Sequence, residues 1–207
     1  MLVLSTEFYI RLGTWDPASG MPKDQLRLQN WTQHAKLWQG GSRVVVLPLV
    51  WRSHFYGLVA TLEEETCYVL ESLGASFGKP PPHSWKFCRF LELLREEAGT
   101  VGPDFQVKVV QVPRQGTRSN NCGLFLLKFV DKILEETRDF LVRAREDALA
   151  DWFPASEVDG KREEVAGHIR QLATDQRMPG GSWRERCWTC SCRCLLWRRS
   201  RLRYWFT

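Results

Sequence analysis

Residues Gln115 to Val130 read QGTRSNNCGLFLLKFV, and the rest of the chain is organised around this stretch. A polar loop containing glycine runs into Asn120 and Asn121, a residue type favoured at helix N-caps. The apolar residues that follow Cys122 recur at helical spacing. The pattern therefore predicts a helix that begins at Cys122 and continues to about Glu136.

This placement puts the sulfur of Cys122 at a helix N-terminus. Unpaired backbone N–H groups and the positive end of the helix dipole favour a thiolate there, and the thiolate is the form of cysteine that attacks carbonyl carbons. Cys122 is therefore a candidate nucleophile. The alternative is a small buried residue at a helix start, because free cysteine is among the most buried residue types.

The chain upstream of this helix predicts a sheet. Three apolar runs rich in β-branched and aromatic residues predict consecutive strands, the second and third forming a hairpin: VVVLPLVW from Val44, HFYGLVATL from His54 and TCYVLES from Thr66. The first run suits a strand that is buried on both faces.

The remaining segments predict one more strand and several helices. They are a helix ending at Leu12, a surface insert GTWDPASGMPKD, a weak helix at Leu26–Trp38, a helix over Trp85–Leu94, a strand at Val107–Val112 and a closing helix at Glu163–Leu172. This order of elements predicts an α+β fold.

Composition narrows the function classes. With 207 residues, 43% hydrophobic and 26% charged, the chain suits one globular domain. The net charge of +5 comes from the C-terminal tail, which carries seven Arg and one Glu after residue 177, so the body is close to neutral. A nucleic-acid partner is therefore not expected. No basic leader and no long apolar stretch is visible. The seven cysteines are odd in number and unevenly spaced, which suggests no disulfide framework, so we expect an intracellular protein of the nucleus or cytoplasm.

Three further side chains complete a chemical set with Cys122. His54 lies where one strand run gives way to the next, and Glu71 lies at the end of the following strand, where a hairpin can bring the two together. A histidine that takes a proton from a cysteine and is oriented by a carboxylate is the arrangement of a catalytic triad. Gln115, seven residues before Cys122, can donate its amide N–H to an oxyanion. Each is also a common structural residue when taken singly.

These segments resemble the Ulp/SENP family of SUMO-type cysteine proteases. VVVLPLVWRSHFYGLVATLEEETCYVLESLG is similar to the family's strand, His-Trp, strand and Asp-Ser pattern, and VPRQGTRSNNCGLFLLKFV is similar to its Pro-Gln, loop, Asp-Cys-Gly and apolar helix. The likeness covers roughly Ser5 to Ala173. It implies a papain-like core with a central mixed sheet flanked by helices, and cleavage of a ubiquitin-like modifier after Gly-Gly or at its isopeptide bond to lysine.

The resemblance also implies residue roles. His54 would be the general base, Glu71 its orienting carboxylate, Cys122 the nucleophile and Gln115 the oxyanion donor, with no cofactor and no metal. The family usually has Asp where this chain has Glu71. Phe55 replaces the Trp that follows the catalytic His and would wall the channel for the glycine pair. We expect the family's N-terminal portion, which supplies the other wall, to be absent.

Two alternatives to this protease remain open. Effector acetyltransferases of the same structural clan use a His-Glu-Cys set, which Glu71 fits. A binding module that holds a ubiquitin-like modifier without turnover is the second.

The sequence predicts two regions, a catalytic domain at residues 1–177 and a basic tail at residues 178–207. The tail carries Cys187, Cys190, Cys192 and Cys194 within eight residues, among Trp and Arg. Zinc sites usually pair two ligand clusters across a longer loop, so a closed tetrahedral site is disfavoured. A disordered or non-native extension is the preferred interpretation. Association of modified cysteines with a membrane surface, and a metal site, are the alternatives.

Overall fold

The computed structural model describes residues 1–5, 8, 10, 12, 15–16, 21–22, 43–51, 53–74, 80–116 and 120–175. The predicted helix at Leu26–Trp38 and the tail after residue 177 lie outside these residues. The chain forms two compact units, Met1–Glu163 and Glu164–Thr207. The predicted domain boundary at residue 177 stays a prediction.

The strands are β1 (Leu2–Val3), β2 (Trp15–Asp16), β3 (Met21–Pro22), β4 (Val44–Trp51), β5 (His54–Thr61), β6 (Thr66–Leu70) and β7 (Gln106–Val110). The helices are α1 (Pro82–Glu97), α2 (Cys122–Glu135), α3 (Thr137–Arg145) and α4 (Glu157–Asp175). The α+β prediction is confirmed. The predictions of β4 to β7 and of α1, α2 and α4 are confirmed within a few residues, except that α4 begins six residues earlier than predicted. The predicted helix ending at Leu12 lies mostly outside the described residues. Helix α3 and the short strands β1 to β3 were not predicted, and β2 and β3 lie within the predicted surface insert.

The main sheet has the order β1-β4-β5-β6-β7. The central strands β4, β5 and β6 are antiparallel neighbours, as predicted, and both outer strands, β1 and β7, run parallel to their partners. Pro48 is tolerated in β4 because β1 pairs only with Val45 and Val46, so β4 has a single described neighbour at Pro48. The sheet is therefore mixed, as the family resemblance implies.

The central strands bury both faces, as the Val-rich pattern of β4 predicts. Alternate residues enter two separate hydrophobic clusters. On one face Leu47 and Leu58 pack with Phe87 and Phe90 of α1. On the opposite face the core includes Phe125, Phe129 and Ile133 of α2, Phe140 of α3, and Trp152 and Phe153. The sheet is thus a middle layer between α1 and α2, which fixes α2 against the sheet.

Phe129 anchors α2 to its face of the sheet. Its side chain is 1% exposed and its ring lies 5.6 Å from that of Phe153 and 6.5 Å from that of Trp152. Phe129→Ala is expected to lower the free energy of unfolding by about 3–5 kcal/mol, through lost burial and a residual cavity. Urea denaturation measures the change. Leu127→Ala, on the exposed face of the same helix, is the matched control, and an equal loss in both variants would contradict this role of Phe129.

The second unit begins within α4, whose last turns run from Glu164 to Asp175. Side chains at Ile169, Arg170 and Leu172 are exposed there. No helix among the described residues is long and apolar enough to span a bilayer.

Candidate active site

The β4–β5 hairpin places His54 at the first position of β5. Trp51 pairs with His54 across the hairpin, and Ser53 between them has a φ of 62°. A positive φ is what a two-residue hairpin loop requires. The imidazole therefore lies at one end of the sheet, and its residue is only 7% exposed.

Strand register brings Glu71 to the same end of the sheet. Gly57 of β5 pairs with Leu70, the last residue of β6, so Glu71 comes next along the chain, toward the start of β5. Its Oε1 lies 2.7 Å from Nε2 of His54. The N–H at Nε2 does not meet hydrogen-bond geometry with this oxygen, so the contact is an ion pair at close distance. The backbone N–H of Leu73 donates to the same oxygen at 2.7 Å and holds the carboxylate in place.

Helix α2 brings Cys122 to this pair. The helix packs closely on β5: a Cβ on Gly57 would lie 3.1 Å from Cδ1 of Leu126, and a Cβ on Gly123 would lie 3.5 Å from the ring of Phe55. The Cys122 side chain is hydrogen-bonded to His54 and accepts backbone N–H groups of Phe55 and Gly123. The predicted nucleophile, base and carboxylate therefore lie together in the structure.

The electrostatics of the cysteine and histidine are complementary. Burial acts to raise the pKa of the Cys122 thiol, but the hydrogen bond with His54 and the N–H groups of Phe55 and Gly123 outweigh it and lower that pKa below its ordinary value. Burial likewise acts to lower the pKa of His54, but its contacts with Cys122 and Glu71 raise it from 6.5 to about 9. The two shifts both act toward a thiolate–imidazolium pair.

Gln115 is held against Ser72, the residue that follows Glu71. Its backbone N–H donates to the carbonyl oxygen of Ser72 at 2.9 Å, and its side-chain Oε1 accepts from the Ser72 hydroxyl at 3.3 Å. These contacts bind the loop before α2 to the residue that follows Glu71. The amide oxygen accepts from Ser72, so the amide NH₂ is the group of Gln115 that can serve as a donor.

Sequence reasoning missed three contacts at this site. They are the Leu73 N–H on Glu71, the Phe55 N–H on Cys122 and the Ser72 hydroxyl on Gln115. Only Ser72 carried a signal, because it directly follows Glu71 at the end of a strand. Backbone N–H donors are independent of residue type, so no sequence pattern identifies them.

No group of three or more His, Cys, Asp or Glu side chains is placed to hold a metal ion in the part of the chain that the structure describes. The four clustered tail cysteines are outside it. Cys67, Cys88 and Cys122 are free thiols.

The structure places a cysteine beside a histidine and a carboxylate, at the start of a helix that packs on a mixed sheet. This arrangement defines the class of papain-like enzymes with a cysteine nucleophile. Residues 5–172 match the model of the Ulp1 protease family, C-terminal catalytic domain. The chain belongs to this family, and its fold is that of a cysteine peptidase domain.

Solved structures agree with this assignment at the level of the fold. The SUMO protease Ulp1 with its catalytic cysteine oxidised to a sulfenic acid is 19% identical, with a TM-score of 0.56 over 83% of this chain and 68% of that chain. A de-sumoylating protease is 16% identical, with a TM-score of 0.56 over 79% of this chain and 64% of that chain. No curated protein sequence matches the chain significantly.

The state of Cys122 at neutral pH gives a direct prediction. His54→Ala removes the hydrogen bond that lowers the pKa of Cys122, so iodoacetamide alkylation at pH 7 is expected to slow about tenfold, partly offset by the higher nucleophilicity of a more basic thiolate. Alkylation rates measured by mass spectrometry from pH 5 to 10 test this. In wild type the rate should rise at a pH below the ordinary thiol range, and identical profiles for wild type and variant would contradict a Cys122–His54 pair.

Proposed function

We propose that this chain is a cysteine protease that cleaves ubiquitin-like modifiers of the SUMO type after their Gly-Gly terminus. Precursor processing and removal of the modifier from lysine both use this bond. The observation that supports it most directly is the contact set of Cys122, His54 and Glu71 in a chain of the Ulp1 protease family. Its structural relatives are described as a SUMO protease and a de-sumoylating protease.

The chemistry follows from the site. The Cys122 thiolate attacks the carbonyl carbon of the terminal glycine, and the resulting oxyanion is stabilised by Gln115 and the first N–H groups of α2. The His54 imidazolium gives its proton to the departing amine, so the amide bond breaks and a thioester to Cys122 remains. His54, now neutral, takes a proton from water as the water attacks the thioester. Release of the glycine carboxylate restores the thiolate–imidazolium pair.

Phe55 is proposed as a wall of the glycine channel. Its ring packs over Gly123, directly beside the nucleophile, where any larger residue at position 123 would come within 3.7 Å of several ring atoms. In this proposal the Phe55 ring narrows the channel beside the sulfur, so that glycine is admitted and residues with a Cβ are excluded.

Acetyl transfer is the second candidate function. The observation that favours it is the glutamate at the carboxylate position, in contact with His54. Both reactions begin with attack by the Cys122 thiolate, so the acyl donor separates them. Incubation with acetyl-CoA and mass spectrometry of Cys122 would detect an acetyl thioester, which the protease proposal predicts to be absent.

The test of the proposed function is cleavage of a SUMO precursor with a short extension after Gly-Gly, compared with a ubiquitin precursor under the same conditions. We expect the wild-type chain to cleave the SUMO precursor at the Gly-Gly bond and the Cys122→Ala variant to leave this precursor intact. Binding of the modifier without cleavage, together with alkylation of Cys122, would instead favour a binding module.

The free thiols of Cys67, Cys88 and Cys122 are consistent with the proposed intracellular location.

A further inference from the structure

Ser72 makes two hydrogen bonds with a single residue from a distant part of the chain. It follows Glu71, just beyond the last residue of β6, and is 1% exposed. Its carbonyl oxygen accepts the backbone N–H of Gln115 at 2.9 Å, and its hydroxyl donates to Oε1 of Gln115 at 3.3 Å. Ser72 therefore holds both the main chain and the side chain of a residue that lies 43 positions away in sequence.

The side-chain contact decides which end of the Gln115 carboxamide is available as a donor. A carboxamide carries an acceptor oxygen and a donor NH₂ group on the same carbon, and the two ends have almost the same shape. Rotation by half a turn about the terminal bond exchanges them, and this torsion has two broad wells. Only the NH₂ end can stabilise an oxyanion, whereas the oxygen end would repel one.

The Ser72 hydroxyl favours one of these two orientations. It has a single proton, which it donates to Oε1 of Gln115. Within the described residues the hydroxyl makes no other hydrogen bond. In the reversed orientation it would accept from the NH₂ group, and its own proton would lose its acceptor at a position with almost no access to water. A buried donor without a partner is costly, so the observed orientation is the favoured one.

We propose that Ser72 is a positioning residue for the oxyanion donor: by donating to Oε1 of Gln115 it reserves the amide NH₂ for the oxyanion that forms when Cys122 attacks a carbonyl. Ser72 acts through Gln115 and not on the reacting atoms. The inference rests on the proposed function in that Gln115 is taken as the oxyanion donor. It concerns formation of the acyl-enzyme, so a small acyl donor tests it without any modifier.

The substitution Ser72→Ala removes this contact selectively. Alanine keeps the carbonyl oxygen that accepts the Gln115 N–H, so the loop before α2 stays attached to the end of β6. The backbone N–H that holds the Glu71 carboxylate is also unchanged. The contacts that lower the pKa of Cys122 do not involve Ser72. The variant is therefore expected to weaken stabilisation of the oxyanion and to leave the thiolate as it is.

The experiment is acylation of Cys122 by the p-nitrophenyl ester of acetyl-glycylglycine. The thiolate attacks the ester carbonyl, the tetrahedral oxyanion expels p-nitrophenolate, and a thioester to the sulfur remains. Mass spectrometry of the Cys122 peptide in quenched samples gives the rate without interference from other thiols. Ser72→Ala is expected to slow acylation about fivefold, and Gln115→Ala about a hundredfold because it loses the donor itself. Iodoacetamide alkylation, a displacement that forms no oxyanion, should keep its wild-type rate in Ser72→Ala.

A double-variant cycle separates this positioning role from a structural one. In the Gln115→Ala background there is no carboxamide to orient, so adding Ser72→Ala should slow acylation no further. Ser72→Thr, which keeps a hydroxyl, should recover most of the rate lost in Ser72→Ala. Ser84→Ala is the matched control and should acylate at the wild-type rate. Ser84 is also a buried serine, but it lies on α1 and its hydroxyl donates to the carbonyl oxygen of Pro81.

Three results would overturn the proposal. The first is acylation of Ser72→Ala at the rate of Ser84→Ala. The second is an equal loss from Ser72→Ala with and without Gln115, or a loss of alkylation as large as that of acylation, because Ser72 would then act on the fold or the thiolate. The third is wild-type acylation no faster than that of Gln115→Ala, which would leave no oxyanion donor to position. Failure of the proposed function is a separate result, in which the ester acylates the wild-type chain but the SUMO precursor stays intact.

Discussion

His54→Ala is expected to reduce kcat for cleavage of a Gly-Gly-linked modifier by about a thousandfold or more. The imidazole has two tasks in the proposed reaction: it holds Cys122 as a thiolate and it protonates the departing amine. Its contacts with Cys122 and Glu71, which raise its pKa to about 9, keep it protonated for the second task at neutral pH. Steady-state cleavage of a modifier fusion, followed by gel densitometry or fluorescence, measures the loss.

The pH dependence of wild-type cleavage follows from the same two groups. Activity should rise as Cys122 ionises, at a pH below the ordinary thiol range, and fall as the pH passes about 9 and His54 loses its proton. His168→Ala is the matched control, since His168 is exposed on α4. Cleavage by His54→Ala at the rate of His168→Ala would remove His54 from the mechanism.

Glu71→Gln is expected to lower kcat about a thousandfold with little change in KM, because the carboxylate acts mainly on the charge that His54 carries. The substitution keeps the size of the side chain and the oxygen that accepts the Leu73 N–H, so the local backbone is retained. What it removes is the negative charge 2.7 Å from Nε2 of His54. Values of kcat and KM from modifier-fusion cleavage separate this effect from weaker binding.

Glu71→Asp tests the geometry of the same contact. The ring N–H of His54 is not aligned with the Glu71 oxygen, and the shorter aspartate is the residue that the family usually carries, so this variant should retain activity or improve it. Glu63→Gln, in the exposed turn before β6, is the control for the loss of one carboxylate. If Glu71→Gln were as active as Glu63→Gln, the carboxylate would have no part in catalysis.

Local patterns in the sequence were sufficient to predict the central strands. The runs at β4, β5 and β6 are apolar at nearly every position, and the structure buries both of their faces between α1 and α2. The order of His54, Glu71, Gln115 and Cys122 on these elements then predicted a shared site. An antiparallel hairpin returns the chain to the end of the sheet where it started, which brings Glu71 back to His54. Their catalytic roles stay predictions, although the structure brings His54, Glu71 and Cys122 together and holds Gln115 against Ser72.

Features that depend on distant contacts could not be predicted. Helix α3 follows α2 after the single residue Glu136, so the hydrophobic pattern shows no break between them. The break is visible only in the structure, where Glu136 has φ −131° and ψ 47° and Phe140 packs against Tyr68. Strand β1 has two residues and depends on pairing with Val45 and Val46. The Arg162 contact with Asn121 likewise joins segments that no local periodicity relates.

The most direct test of the central claim is covalent capture by a SUMO protein whose C-terminal glycine carries a vinyl-type electrophile. The account predicts a single adduct on Cys122, identified by peptide mass spectrometry, that is absent in Cys122→Ala and strongly slowed in His54→Ala. A ubiquitin probe of the same chemistry should react far more slowly. If the SUMO probe forms no adduct while iodoacetamide alkylates Cys122 in a His54-dependent manner, the site is an assembled nucleophile that does not act on this modifier, and the proposed function is wrong.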